Sequence, residues 1–340
     1  MANLVLALVI FCLVILTPLL LSVSVGLSGR ITRIHEWTWK RSFSIALIFL
    51  GLQIGFLLAL YGVSQVAKQP RNFLLNVEIG LALILLVIMT KSTQAKWYRV
   101  TTAWIITLVM YGAFSFGTAW LVKSNIVEAF LIPTNSMAPT VVGEHITAPC
   151  PRCGSDAYSS SETFDLGHNA KTLMICSKEL RSCLVEHPPK DTSSGDRIIV
   201  NKLLRPKRWD IITHRFPEEP DINYLKRIVG LPGETVTIRE GAVWIDGVRQ
   251  TPPELLEKLN YVTEIEGSPF LKPMWGDERR PAKLGPDEYF VLGDFSERAR
   301  DSRLWQANDS GHPPYAVPES YIIGVATHIY WPPSRWRSFQ

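Results

Sequence analysis

The 340 residues are 47% hydrophobic and carry a formal net charge of +4. That charge is too mild for a nucleic-acid binder, and no basic cluster is interleaved with aromatics. Apolar side chains crowd the first 125 positions while charge concentrates after Glu144, so a membrane-type half precedes a polar half.

In chain order, residues 1–29 carry no charged side chain, a run longer than the ~20 residues that cross a bilayer. A cleaved secretory signal begins with a positive residue, and none precedes Arg30, so a retained helix holding Cys12 is expected. Further spans are expected at about 42–66, 73–89 and 103–122, with Glu78 inside the third. The first loop holds Arg30, Arg33, Lys40 and Arg41, and the third holds Lys91, Lys96 and Arg99; the second holds only Lys68 and Arg71. The positive-inside rule puts the first and third loops in the cytoplasm, and everything after the fourth span outside. Trp331 and Trp336, near the C-terminus, suit a membrane–water interface as well as an ordinary core.

Beyond the fourth span the apolar runs shorten and are broken by glycine and proline. The segments 196–202, 235–239, 242–246 and 289–292 read as strands. Glu240-Gly241 and Asp246-Gly247 read as hairpin turns, and 253–259 is the one helix candidate. The expected fold is a membrane domain of four transmembrane α-helices over 1–124, followed by an all-β extracytoplasmic domain over 125–340.

Ser136 lies between Pro133 and Pro139, which discourage helix and restrict the backbone. Thr134 offers a second hydroxyl, and small Ala138 leaves room for an extended peptide. A plain membrane-exit turn accounts for the stretch equally well. A serine hydroxyl attacks only when a base takes its proton. His145, His168, His187, His214, His312 and His328 show no persuasive His/Asp spacing. Lys226 is the other candidate, since strand alternation sets Tyr224, Lys226 and Ile228 on one face. Lysine titrates near ~10.4 in water, so holding it neutral at pH 7 costs ~4.6 kcal/mol, which apolar burial can supply. The competing reading is an exposed lysine on an edge strand.

Between 146 and 194 lie four cysteines, Cys150, Cys153, Cys176 and Cys183. Cys150 and Cys153, followed by Gly154, have the spacing that puts two thiolates on one tetrahedral ion, as in half of a zinc ribbon. Cys176 and Cys183 are spaced more loosely, and disulfides compete in an extracytoplasmic domain. One structural zinc, two disulfides and neither are all open.

Four stretches in order resemble the four boxes of the type I signal peptidase family. They are the Ser136-Met137 motif ending at Pro139-Thr140, then 195–200, then 224–236 with Lys226, Arg227 and Gly233, then 291–294 followed by Asp301 and Arg303. The resemblance covers roughly 127–330 and leaves 146–194 as an insertion. It implies a membrane endopeptidase that removes signal peptides from exported preproteins, working outside the cell (inner) membrane and touching its bilayer, with no cofactor for catalysis. Ser136 would be the nucleophile and Lys226 the general base. The Ser136 N–H and the Thr134 hydroxyl would stabilise the oxyanion, while Asp294, Asp301, Arg303 and Arg227 brace the site. Two positions depart from the family: Phe295 stands where asparagine is usual, and Ala299 where a serine commonly bonds the lysine. Ser296 and Ser302 are the candidates to replace that serine. These departures motivate a rival reading, a degenerate homologue that binds preproteins or a partner without cutting. A membrane transporter or sensor built on Glu78 leaves the four boxes unexplained, and the self-cleaving repressor domains lack membrane spans.

Overall fold

The computed structural model describes residues 17–34, 37–64, 73–160, 171–189, 191–264 and 274–339. It falls into two units, Met1–Val122 and Lys123–Gln340.

The first unit is helical: α1 Thr17–Ile31, α2 Trp39–Ser64, α3 Phe73–Lys91 and α4 Trp97–Asn125. Their apolar residues are not confined to one face. Leu21, Val25, Phe49, Leu85 and Met89 bury together, and Ser28 Oγ meets Thr107 Oγ1 at 2.7 Å between helices. Arg30, Lys91 and Lys123 occupy last turns, where a cation meets the negative end of the helix dipole. Among the described residues, α4 alone is long and apolar enough to cross a membrane; the apolar stretches Pro18–Ile31 and Gly80–Lys91 are shorter. Residues 1–16 of the expected first span, with Cys12, and the Glu78 side chain lie outside the described residues.

The second unit is mostly β. Its strands are β1 Val127–Leu131, β2 His145–Pro149, β3 Asp156–Ser160, β4 Lys171–Cys176, β5 Ser182–Glu186, β6 Arg197–Asn201, β7 Ile211–Phe216 and β8 Glu219–Gly230. There follow β9 Thr235–Arg239, β10 Ala242–Ile245, β11 Val248–Arg249, β12 Ala282–Lys283, β13 Glu288–Leu292, β14 Val317–Pro318, β15 Ile322–Trp331 and β16 Arg337–Ser338. The main sheet runs β1-β6-β15-β7-β8-β13-β14, with β16 on β15. A second sheet runs β11-β10-β9-β12, and the insertion makes its own sheet, β2-β3-β4-β5. Both expected hairpin turns form, Glu240-Gly241 and Asp246-Gly247, each with two positive φ values that suit the right-handed twist of the flanking strands. The helix expected at 253–259 is a single 3-10 turn, Glu254–Leu256, in which only Leu256 is buried. One short turn with one buried anchor cannot repay helix nucleation.

Two features of the main sheet position the site. The second half of β8, from Leu225 to Gly230, is buried throughout, so Lys226 and Arg227 lie inside the protein. The loop after β1 folds back on the core through Ile132, Met137 and Val141, which pack with Ile198 and Val200.

Candidate active site

The Ser136 segment is irregular backbone pinned by specific bonds rather than by a ladder. Asn135 Nδ2 donates to Glu144 O at 2.7 Å, and Gly143 N–H donates to Asn135 Oδ1 at 2.9 Å. Asp196 accepts from the Val142 N–H at 2.8 Å and from Arg335 Nε at 2.8 Å and Nη2 at 2.9 Å. Beside Asp196, a Cβ at Gly195 would collide with the Ile132 carbonyl, so glycine lets the two strands of chain approach. Gly293 does the same behind the serine, where a Cβ would stand 2.5 Å from Ser136 O.

Lys226 reaches this segment from β8. Its Nζ lies 2.8 Å from Ser136 Oγ and donates to Leu225 O at 3.0 Å, with the Tyr224 ring centroid 4.8 Å away. Lys226 is only 3% exposed. That burial lowers its pKa to about 8, against the opposing pull of Asp301 and Asp294, with Arg303 lowering it further. A large part of the amine is therefore unprotonated near pH 8.

Two buried ion pairs flank the lysine. Arg227 Nε and Nη2 meet Asp294 Oδ1 and Oδ2 at 2.8 and 2.6 Å. Arg303 Nε and Nη2 meet Asp301 Oδ1 and Oδ2 at 2.9 and 2.7 Å, both side chains fully buried. Each guanidinium faces its carboxylate with two parallel bonds, which fixes orientation as well as charge. Asp301 Oδ2 also accepts from the Gly293 N–H at 2.9 Å, tying the pair to the turn behind Ser136.

Neither serine proposed to replace the missing one at Ala299 supports Lys226. Ser296 Oγ accepts from the Val262 N–H and from Arg303 Nη1, and Ser302 Oγ accepts from the Val291 N–H. The Leu225 carbonyl holds the amine instead, and Ala299 is buried beside Gly293. Among the described residues no histidine hydrogen-bonds Ser136. His214 is deeply buried, its pKa lowered to about 3 by that burial, and its Nδ1 engages Arg215 O. His168 lies outside the described residues.

Ser136, Thr134, Ile132, Phe130, Tyr224 and Lys226 line an open cleft of about 360 Å³. Thr134 is exposed there, and among the described residues the Ser136 N–H makes no backbone hydrogen bond. Sequence reasoning missed Asn135, Arg335 and the part played by Phe295. Asn135, an amide inside the serine motif, and Phe295, a departure from the expected asparagine, left a signal; Arg335 left none.

The four cysteines are all free thiols. The sulfurs of Cys150, Cys153 and Cys176 lie within 4.8 Å of one another; Cys183 stands outside that set and interacts with Cys150.

The family model described as "Signal peptidase, peptidase S26" matches residues 174–331, a stretch that includes Lys226, Asp294, Asp301 and Arg303 and begins after Ser136. The chain is 29% identical over 247 residues to a Signal peptidase I of Pseudomonas aeruginosa, an alignment spanning 66% of this chain and 74% of that protein. It is 36% identical over 152 residues to one from Leptolyngbya laminosa, covering 42% and 63% of the two chains. With a Signal peptidase I of Bacillus licheniformis it shares 33% identity over 155 residues, 44% of this chain and 75% of the relative. A match of that identity over three-quarters of a relative places the chain, a peptidase, in the signal peptidase family S26.

Proposed function

We propose that this peptidase is a membrane-bound endopeptidase that removes N-terminal signal peptides from exported preproteins, with Ser136 as nucleophile and Lys226 as general base. The observation that carries the reading is the 2.8 Å separation of Lys226 Nζ and Ser136 Oγ at a buried amine. A neutral Lys226 keeps one N–H on the Leu225 carbonyl and aims its lone pair at the serine. It takes the hydroxyl proton as Oγ adds to the scissile carbonyl, forming a C–O bond and an oxyanion. The Ser136 N–H and the Thr134 hydroxyl receive that oxyanion. Lys226 then gives its proton to the leaving amine, and the peptide C–N bond breaks. Water repeats the cycle on the acyl-enzyme, with Lys226 again as base. No step calls for a cofactor. Asp294, Asp301, Arg227 and Arg303 hold the geometry without reacting.

The substrate lies extended in the cleft, adding a strand beside the serine segment, with small side chains before the cut in shallow apolar pockets. The membrane domain over 1–124 carries four spans, of which α4 is the longest apolar helix described, and the catalytic domain over 125–340 faces outward. A signal peptide emerges on that side just beyond its own apolar core, within reach of a serine that follows the last span by one short strand. Cleavage of a purified model preprotein by the wild type, set against Ser136→Ala and Lys226→Ala, tests the reading. Both variants should insert and fold but leave the preprotein whole. Undiminished cleavage by either would remove it from the pair.

A further inference from the structure

We infer that Cys150, Cys153, Cys176 and Cys183 bind one zinc ion, and that the sheet this ion closes is the back wall of the Ser136 segment. The inference goes beyond the cutting reaction, since none of its ligands belongs to the proposed catalytic pair.

The registers bring two turns together. Pro149 pairs with Asp156, Ala157 with Cys176, and Ile175 with Ser182, so the β2–β3 and β4–β5 turns sit at one end of the insertion's sheet. Both turns treat their first cysteine alike. The N–H groups of Arg152 and Cys153 point at the Cys150 sulfur, and those of Lys178 and Glu179 at the Cys176 sulfur. The Glu179 N–H lies 3.4 Å from Cys176 Sγ. N–H donors placed this way orient a ligand sulfur and offset the charge it carries when bound to a metal.

Spacing agrees. Cys153 Sγ and Cys176 Sγ are 3.4 Å apart, and with Cys150 they form a triangle within 4.8 Å. Four sulfurs around a tetrahedral zinc at ~2.3 Å stand about 3.8 Å from one another. The second turn departs from the first at its fourth position, where Glu179 stands and pairs with Lys258 at 3.3 Å. The fourth thiol comes instead from the neighbouring strand: Cys183 lies opposite Met174 on β5 and interacts with Cys150. That explains the loose spacing from Cys176 to Cys183.

The same sheet is fastened to the catalytic body. Tyr158 and Ile175 pack with Phe295, Ala138 and Val142 in one buried cluster. Ser182 Oγ donates to Glu297 Oε1 at 2.5 Å, and Arg298 Nη1 donates to Ser159 Oγ at 3.0 Å. Phe295 N–H in turn donates to the Ser136 carbonyl at 3.1 Å. A metal that locks the two turns therefore stiffens the support of the nucleophile.

The test uses full-length protein purified in detergent without chelators. Metal analysis should find about one zinc per chain, equally in Ser136→Ala. Exchange for Co²⁺ should give the intense absorption of a four-thiolate site, falling by about a quarter in Cys183→Ser as one thiolate is lost. Chelation should free four alkylatable thiols and slow preprotein cleavage by roughly tenfold as the serine loses its backing. Two disulfides in a non-reducing mass map, or metal-free thiols that take up no Co²⁺, would overturn the site. An unchanged Co²⁺ spectrum in Cys183→Ser would overturn the four-thiolate set, and unchanged cleavage after chelation would overturn the back wall. Because the metal readouts need no turnover, they stand or fall apart from the peptidase reading.

Discussion

Phe295 joins Ser136 to the inserted sheet: its N–H donates to the Ser136 carbonyl at 3.1 Å, while its ring is fully buried against Tyr158 and Ile175. The residue stands where the family usually has asparagine. A polar side chain there would face an apolar wall supplied by the insertion, so the departure fits the extra sheet rather than a decayed site. The rival reading of a degenerate homologue loses half of its motivation.

Gly293 leaves no room for a side chain between Ala299 and the Ser136 carbonyl. Gly293→Ala should push the serine away from Lys226 and cut kcat by about 10²-fold, the order expected for a displacement of about 1 Å. Steady-state cleavage of a model preprotein reads this directly, with the Lys226 environment otherwise unaltered.

Burying an amine destabilises the fold at neutral pH. Lys226 has a folded pKa of about 8 against an ordinary 10.5. Between those values the unfolded chain binds more protons, so wild-type stability climbs as pH rises through the window and is lowest below pH 8. Lys226→Met keeps the stem and removes the amine. It should abolish cleavage yet stabilise the β unit by about 1–3 kcal/mol at pH 7, with the gain shrinking towards pH 10. Denaturant unfolding at the two pH values checks it; a variant less stable than wild type at pH 7 would contradict the buried amine.

Asp301 opposes the lowering of the Lys226 pKa. Asp301→Asn should therefore move the acidic limb of the pH–rate profile to lower pH. It also leaves the Arg303 guanidinium buried without its partner, at a cost of about 3–5 kcal/mol. A profile shifted upward would show that Asp301 does not act on the lysine.

Under the proposed topology, the seven lysines and arginines in the first and third expected loops, against two in the second, keep those loops inside. A tag fused after Gln340 should be open to an outside protease in intact cells, and one placed at Thr38 should be protected. The reverse pattern would separate the site from its substrate.

What the sequence made legible was local. The glycine-bearing turns at 240–241 and 246–247 follow from φ requirements that few residues meet, and Lys226 shows as a lysine in an apolar strand. Backbone partners and long-range pairs were not legible. The Leu225 carbonyl that holds the amine has no side chain to reveal it, and Asp196 finds Arg335 across the sheet only once β6 and β15 are paired. The segment 253–259 had helical composition, but its length was too small for nucleation.

The central claim is that Lys226 acts as a neutral base towards Ser136. Its most direct test is kcat/KM for preprotein cleavage from pH 6 to about 10, measured for wild type and Lys226→Arg. Activity should rise tenfold per pH unit below the lysine pKa and level off above about 8, and the guanidinium variant should be inactive at every pH, because it cannot lose its proton. A wild-type rate independent of pH across this range, or turnover by Lys226→Arg, would contradict it.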